Sequence, residues 1–181
     1  QKILKMENFP WFEKYPDGVA KSIDVDQYDS VMQIVDESLA KYGNQIAFEN
    51  MGASMTFAKL DQLSQNFAAY LQSIGLKKGD RIALMMPNLL QYPIALFGAL
   101  RAGLVIVNTN PLYTVREMAH QFNDSSADAI VVLANFAKNV QEALPKTKIK
   151  HIIITEIGDQ LGGLKSTLVN FVVKYIKKMV P

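Results

Sequence analysis

Apolar positions along the chain switch between two rhythms: steps of three and four, and short unbroken runs. Val31, Ile34, Val35, Leu39 and Tyr42 share one side of a helix predicted over residues 30–42. Ser30 is its expected N-cap, Gln33 stands where a capping box closes, and Gly43 supplies the stop. Extended runs at 46–50 and 55–57 flank Met51-Gly52-Ala53-Ser54 and predict a small β-hairpin. Phe57, Leu60, Ser64, Phe67, Leu71 and Ile74 then form the buried stripe of a helix capped by Thr56 and ended by Gly75.

From residue 81 onward, strand-length apolar runs alternate with helical patterns. The runs are 81–86, 104–107, 128–133 and 151–155, with the second expected to be fully buried. A helix is predicted from an Asn88 cap through Ala102 to a stop at Gly103, and another over residues 136–144. Between these, a Thr114 cap with Glu117 completing a capping box opens a helix whose inner face is Val115, Met118, Ala119 and Phe122. Continuous apolar strands alternating with amphipathic helices specify an α/β fold, a parallel sheet flanked by helices on both faces.

Two segments fall outside this rhythm. Residues 1–28 are an irregular extension punctuated by Pro10, Pro16 and Gly18, with Trp11, Phe12 and Tyr15 as surface anchors, ahead of an α/β unit spanning 29–157. Residues 158–181 form a basic amphipathic segment with a helix predicted over 164–179. Leu164, Leu168, Phe171, Val172, Tyr175, Ile176 and Met179 occupy one face, and Asn170, Lys174, Lys177 and Lys178 the other. No acidic residue follows Asp159. Three readings compete for this helix. It packs on its own domain or on residues beyond it, it lies on an anionic membrane with Lys174, Lys177 and Lys178 toward the headgroups, or it joins two subunits of a homodimer.

Composition narrows the picture. In 181 residues the net charge is only +2, which argues against a dedicated nucleic-acid binder. The absence of cysteine removes disulfides, thiol nucleophiles and thiolate metal sites, and suits a reducing compartment. Glu7, Asn8 and Pro10 break any secretory apolar core, and the most apolar stretch, 92–107, is interrupted by Pro93 and Arg101. A cytoplasmic protein is expected.

Chemistry is sparse. No G-x-G-x-x-G follows a strand, and no G-x-S-x-G is present. Gly158 to Ser166 resembles a phosphate-binding loop, but Leu164 separates Gly163 from Lys165 and re-aims the ammonium, so a plain loop is expected. His120 and His151 are far apart and in no metal-ligand spacing. No catalytic, cofactor-binding or metal-ligating residue is assigned. Parallel sheets bind ligands beyond the carboxyl ends of their strands, which selects Pro87-Asn88 and the loop carrying Asn108, Asn110, Tyr113 and Thr114. Capping and turn formation explain the same residues without a ligand.

The run from Met55 to Phe136 resembles the beginning of the adenylate-forming ligases. The pieces that carry the likeness are Thr56-Phe57, Gly79-Asp80-Arg81, Pro87-Asn88, Arg101-Ala102-Gly103 and Asn108 through Thr114. Ala83 to Pro93 and Asn110 to Thr114 are similar to the bacterial long-chain fatty-acid–CoA ligases, a likeness that extends outward to Trp11, Tyr15-Pro16, Gly158 to Leu161 and Val169 to Lys177. The resemblance implies a two-step reaction. A fatty carboxylate attacks the α-phosphate of Mg·ATP to give an acyl-adenylate and pyrophosphate, and CoA then displaces AMP. It implies ATP, Mg and CoA as needs of a parent enzyme about three times this length, with fatty acid and CoA as substrates. The family's Ser/Thr/Gly-rich phosphate loop, ribose-binding Asp and distal Lys have no counterpart here. The chain is therefore expected to be an amino-terminal portion, inactive and cofactor-free alone, with a peripheral position on the inner membrane face implied. Another carboxylate-activating ligase, or a stand-alone binding domain reusing the fold, are the rival readings.

Overall fold

The computed structural model describes residues 9–181. A helix α1 (Val31–Tyr42) leads to a hairpin of β1 (Ile46–Asn50) and β2 (Ala53–Thr56), then to α2 (Phe57–Ser73). There follow β3 (Arg81–Met85), α3 (Gln91–Arg101), β4 (Val105–Asn108), α4 (Val115–Asp124), β5 (Ala129–Leu133), α5 (Ala137–Ala143), β6 (His151–Thr155) and α6 (Gly163–Phe171).

The sheet has four strands in the order β4-β3-β5-β6, all parallel, so the first strand in sequence lies inside it. Alternation along β3 sorts the core into two layers. Ile82 and Leu84 join Leu71, Ala95 and Ala99 on the α2–α3 side. Ala83 and Met85 join Met118, Phe122 and Val140 on the α4–α5 side. Both faces are thus covered over β3 and β5, as the unbroken apolar runs require, while one face of β6 stays open at Ile152 and Ile154. A third cluster of Leu39, Met55, Leu60, Leu90 and Ile94 seats α1 and the hairpin on α2 and α3. The run at 104–107 departs from expectation: β4 is an edge strand, with Val105 49% exposed.

α2 and α3 cross closely because Gly98 has no side chain. A Cβ there would stand 2.8 Å from Phe67 Cδ1 and 2.9 Å from the Ser64 carbonyl. Beside this crossing, Arg101 ties three helices. Its guanidinium reaches Asp61 at 2.6 Å and Asp36 at 2.8 Å, and its Nε donates to the buried Ser64 hydroxyl at 3.1 Å.

Local boundaries differ from expectation for identifiable reasons. The helix predicted from Asn88 begins at Gln91, with no side-chain cap at Leu90. Pro93 sets this start: it lacks an N–H, so it fits the first turn and would clash with the preceding carbonyl if the helix began earlier. The hairpin turn is tighter than predicted. Met51 (φ 51°) and Gly52 (φ 71°) make a two-residue reversal with both in the left-handed region, so β2 starts at Ala53 and Phe57 belongs to the helix. Gln33 overshoots its capping box and accepts from the Asp29 N–H at 2.9 Å, while Ser30 caps Gln33 as expected. Gly43 closes α1 in right-handed geometry at φ −38°. The helix predicted over 136–144 is flanked by single 3-10 turns at Ala134–Phe136 and Leu144–Lys146, the second holding Pro145.

The carboxyl-terminal α-helix is shorter than predicted. α6 ends at Phe171 and widens into a π-helical turn at Val172–Ile176. Leu164, Leu168, Phe171, Tyr175, Ile176 and Met179 of its apolar face are exposed, and Asn170, on the other face, is turned toward the protein. The predicted aromatic anchors of the extension meet one another edge-on, Trp11 and Phe12 at 6.2 Å and Phe12 and Tyr15 at 5.5 Å between ring centres, and Trp11 stays 53% exposed.

Candidate functional site

Beyond the carboxyl ends of β3 and β4 lies a recess of about 320 Å³ lined by Met86, Asn88, Tyr92, Asn108, Thr109 and Asn110. It lies where a parallel sheet presents a ligand. β4 ends on Asn108, and the Thr109 N–H still bonds to the Leu84 carbonyl at 3.0 Å, so the backbone leaves the sheet under control. The buried Thr109 anchors that exit.

Asn108 is braced from two helices. Its Oδ1 accepts from the Tyr92 hydroxyl at 2.8 Å, and its carbonyl accepts from Gln121 Nε2 at 3.0 Å. Asn110 folds the following loop: its carboxamide oxygen accepts from the Leu112 N–H at 3.0 Å and its carbonyl from the Tyr113 N–H at 3.1 Å. Tyr113 is half-buried against the α4–α5 core layer and does not line the recess. Thr114 is wholly occupied as the N-cap of α4. Its hydroxyl accepts from the Glu117 N–H, and Glu117 accepts from both the Thr114 N–H and its hydroxyl at 2.8 Å. The Thr114 backbone donor, and then its hydroxyl, hold the Glu117 carboxyl below its ordinary value.

The structure thus brings Asn108 and Asn110 to one recess and assigns Tyr113 and Thr114 to packing and capping. Asn88 is also there, its carbonyl accepting from Asn50 Nδ2 at 3.2 Å. Sequence reasoning missed Tyr92 and Gln121, whose roles depend on partners 16 and 13 residues away. It also missed Gln91, buried at the start of α3, whose Nε2 donates to the Glu156 carbonyl at 2.7 Å and clamps the end of β6 to the same rim. Two carboxamide oxygens, Gln121 Oε1 and Asn135 Oδ1, are buried with no partner among the described residues.

Neutral amides and one phenol can orient a polar ligand. They supply no cation for a phosphate and no base for a proton. Among the described residues, no group of three or more His, Cys, Asp or Glu gathers as a metal site requires. The glycine-rich stretch after β6 forms no phosphate cradle around Lys165, whose ammonium instead donates to the Met51 carbonyl at the hairpin turn.

Residues 35–178 match the family described as AMP-binding enzyme. The chain is 58% identical over 172 residues to a long-chain-fatty-acid–CoA ligase of Escherichia coli O157:H7, covering 94% of this chain and 31% of that relative. It is 54% identical over the same 94% to the ligase of that name from Haemophilus influenzae, again 31% of the relative's length. The chain therefore spans about a third of the curated relatives it matches. Among solved structures, the apo form of Mycobacterium smegmatis MbtA superposes with a TM-score of 0.66 at 30% identity, over 79% of this chain and 27% of that one. A long-chain-fatty-acid-CoA ligase from Archaeoglobus fulgidus shares the fold at TM-score 0.63 and 23% identity, over 76% of this chain and 28% of that one.

Proposed function

This chain belongs to the family of AMP-binding enzymes, and from that premise we propose that it is the amino-terminal α/β part of a long-chain fatty-acid–CoA ligase. The observation that carries this reading is 58% identity sustained over 94% of the chain to a relative of that name. The parent reaction is ATP-dependent activation of a fatty carboxylate to an acyl-adenylate, followed by transfer to CoA, with Mg as the counter-ion of the nucleotide. We place it in the cytosol, consistent with a cysteine-free composition.

The residues of the recess do not make a Mg·ATP site, lacking both cations and a carboxylate cluster. No chemical step is assigned to them. Their part is architectural: Asn108, held by Tyr92 and Gln121, fixes the sheet edge on which the rest of a catalytic centre is assembled.

A chimera tests this. The matching 172-residue stretch of the Escherichia coli relative is replaced by this chain, and acyl-CoA formation is followed with palmitate, ATP and CoA. Activity close to the unmodified relative is expected. A folded chimera that forms acyl-CoA only from short or aromatic acids would move the reading to another carboxylate-activating ligase. One that forms none, while the chain alone binds ATP or fatty acid saturably, would make it a stand-alone binding domain.

A further inference from the structure

β6 has a neighbour on one side only. It pairs with β5, and among the described residues no strand pairs with its other edge. One of its faces is open as well. Ile152 and Ile154 are 46% and 58% exposed, while Ile153 between them packs on the α2–α3 core layer. The open face floors a groove of about 640 Å³ walled by α5 at Ala137, Val140 and Gln141. An apolar edge strand is a template for a further strand unless a lysine, a proline or a bulge blunts it. Residues 151–155 are His-Ile-Ile-Ile-Thr, in unbroken register with β5, and hold none of these devices.

The charges that flank the strand point to what completes it. Lys148 and Lys150 precede β6, and Glu156 and Asp159 follow it. Basic, then apolar, then acidic is an order that complements itself when reversed. A second β6, antiparallel and centred on Ile153, sets Ile152 opposite the partner's Ile154 and Lys150 opposite the partner's Glu156. Residues 150, 152, 154 and 156 share one face of an extended strand. Isoleucines from both copies therefore meet on the open side, with a Lys–Glu pair at each end. Lys150 is exposed and has no ion-pair partner among the described residues, and Glu156 has only Lys174 at 3.9 Å. We propose that β6 is a two-fold docking edge for a second copy of this chain, joining two four-stranded sheets into one. Each copy then supplies half of an apolar cleft, floored by Ile152 and Ile154 of both and walled by both α5 helices.

Other arrangements of the same edge are disfavoured. A parallel copy in register would set Lys150 on Lys150 and Glu156 on Glu156. β4, at the opposite edge of the sheet, has no charged residue from 104 to 109 to fix a register. Pairing β6 with that edge would also be head-to-tail, a contact that does not close and builds filaments. This inference does not rest on the ligase reading.

The test is sedimentation equilibrium of the 181-residue chain across a concentration series. A monomer–dimer equilibrium is expected, weakening as salt rises. Lys150→Glu places like charges opposite one another at both ends of the paired strands and should weaken dimerisation roughly tenfold. Glu156→Lys should act in the same direction, though it also faces Lys174. The double exchange K150E/E156K restores opposite charges with reversed sign and should recover most of the dimer. Unfolding by either single change would not be repaired in this way, and far-UV circular dichroism checks each variant independently. Ile154→Lys, at an exposed position, should leave a folded monomer. A wild-type chain that stays monomeric throughout, or that forms filaments, would overturn the proposal. So would a dimer indifferent to K150E, or one that the double exchange fails to recover.

Discussion

Ser126 holds φ 53° after α4, where the equivalent reversals after α2 and α3 use Gly75 (φ 96°) and Gly103 (φ 77°). All three ends share one hydrogen-bond pattern, with Leu76, Leu104 and Ala127 bonding back to Leu71, Ala99 and Phe122. A side chain in that region costs about 1 kcal/mol, so Ser126→Gly should stabilise the chain by roughly that amount. Thermal unfolding should shift upward by about 2–4 °C. Glu117 gives a pH signature. Its carboxyl lies below the ordinary 4.5 in the folded state because Thr114 donates to its charged form. Its stabilising contribution is therefore complete above 4.5 and is lost as acidity passes through its lowered folded value. Glu117→Gln should flatten the acid limb of the stability curve, and a variant with an unchanged limb would contradict this. The Thr114 cap and its Glu117 partner were readable from sequence because the interaction spans three residues. The bracing of Asn108 was not, because Tyr92 and Gln121 reach it only after two helices have packed.

At the scale of elements, the α2–α3 crossing depends on Gly98 and Arg101. Gly98→Ala gains about 1 kcal/mol of helix propensity. It also places a methyl against the Ser64 carbonyl, which cannot swing away, and overpacking of this kind costs roughly 1–3 kcal/mol. Net destabilisation is expected in urea titration. Arg101→Lys should cost about 1 kcal/mol, a modest figure because Asp36 is 54% exposed and its pairing is screened. The larger effect should be local, a rise in amide exchange along α1, whose carboxylate partner the shorter ammonium reaches less well. Periodicity located these helices but could not orient α6. The same amphipathic pattern fits a helix buried on its apolar side and one anchored by Asn170 on its polar side, and contacts such as Gly158–Asn170, formed only in the folded chain, distinguish them. Pro93 shows the converse. Its missing N–H places it in the first turn of α3, a stronger constraint on the helix start than the capping oxygen of Asn88.

Across the whole molecule, the parallel sheet was legible because four apolar runs lacked polar alternation, although β6 turns Ile152 and Ile154 to an open face. Strand order was not legible. Nothing local in the run 104–107 marks β4 as an edge, since its exposure is set by the absence of a neighbour. Hydrogen exchange should reproduce the observed order, slowest in β3 and β5 and fastest in the π-helical turn after α6.

That strand order also bears on synthesis. A ribosome delivers β3 before either of its partners exists, for β4 begins 24 residues later and β5 begins 48 residues later. Until then the apolar run Ile82 to Met85, fully buried in the finished sheet, has hydrogen-bonding edges on both sides and neither neighbour. The nascent polypeptide therefore passes through an interval in which its future centre is exposed and adhesive, and the speed of elongation through α3 and α4 sets how long that interval lasts.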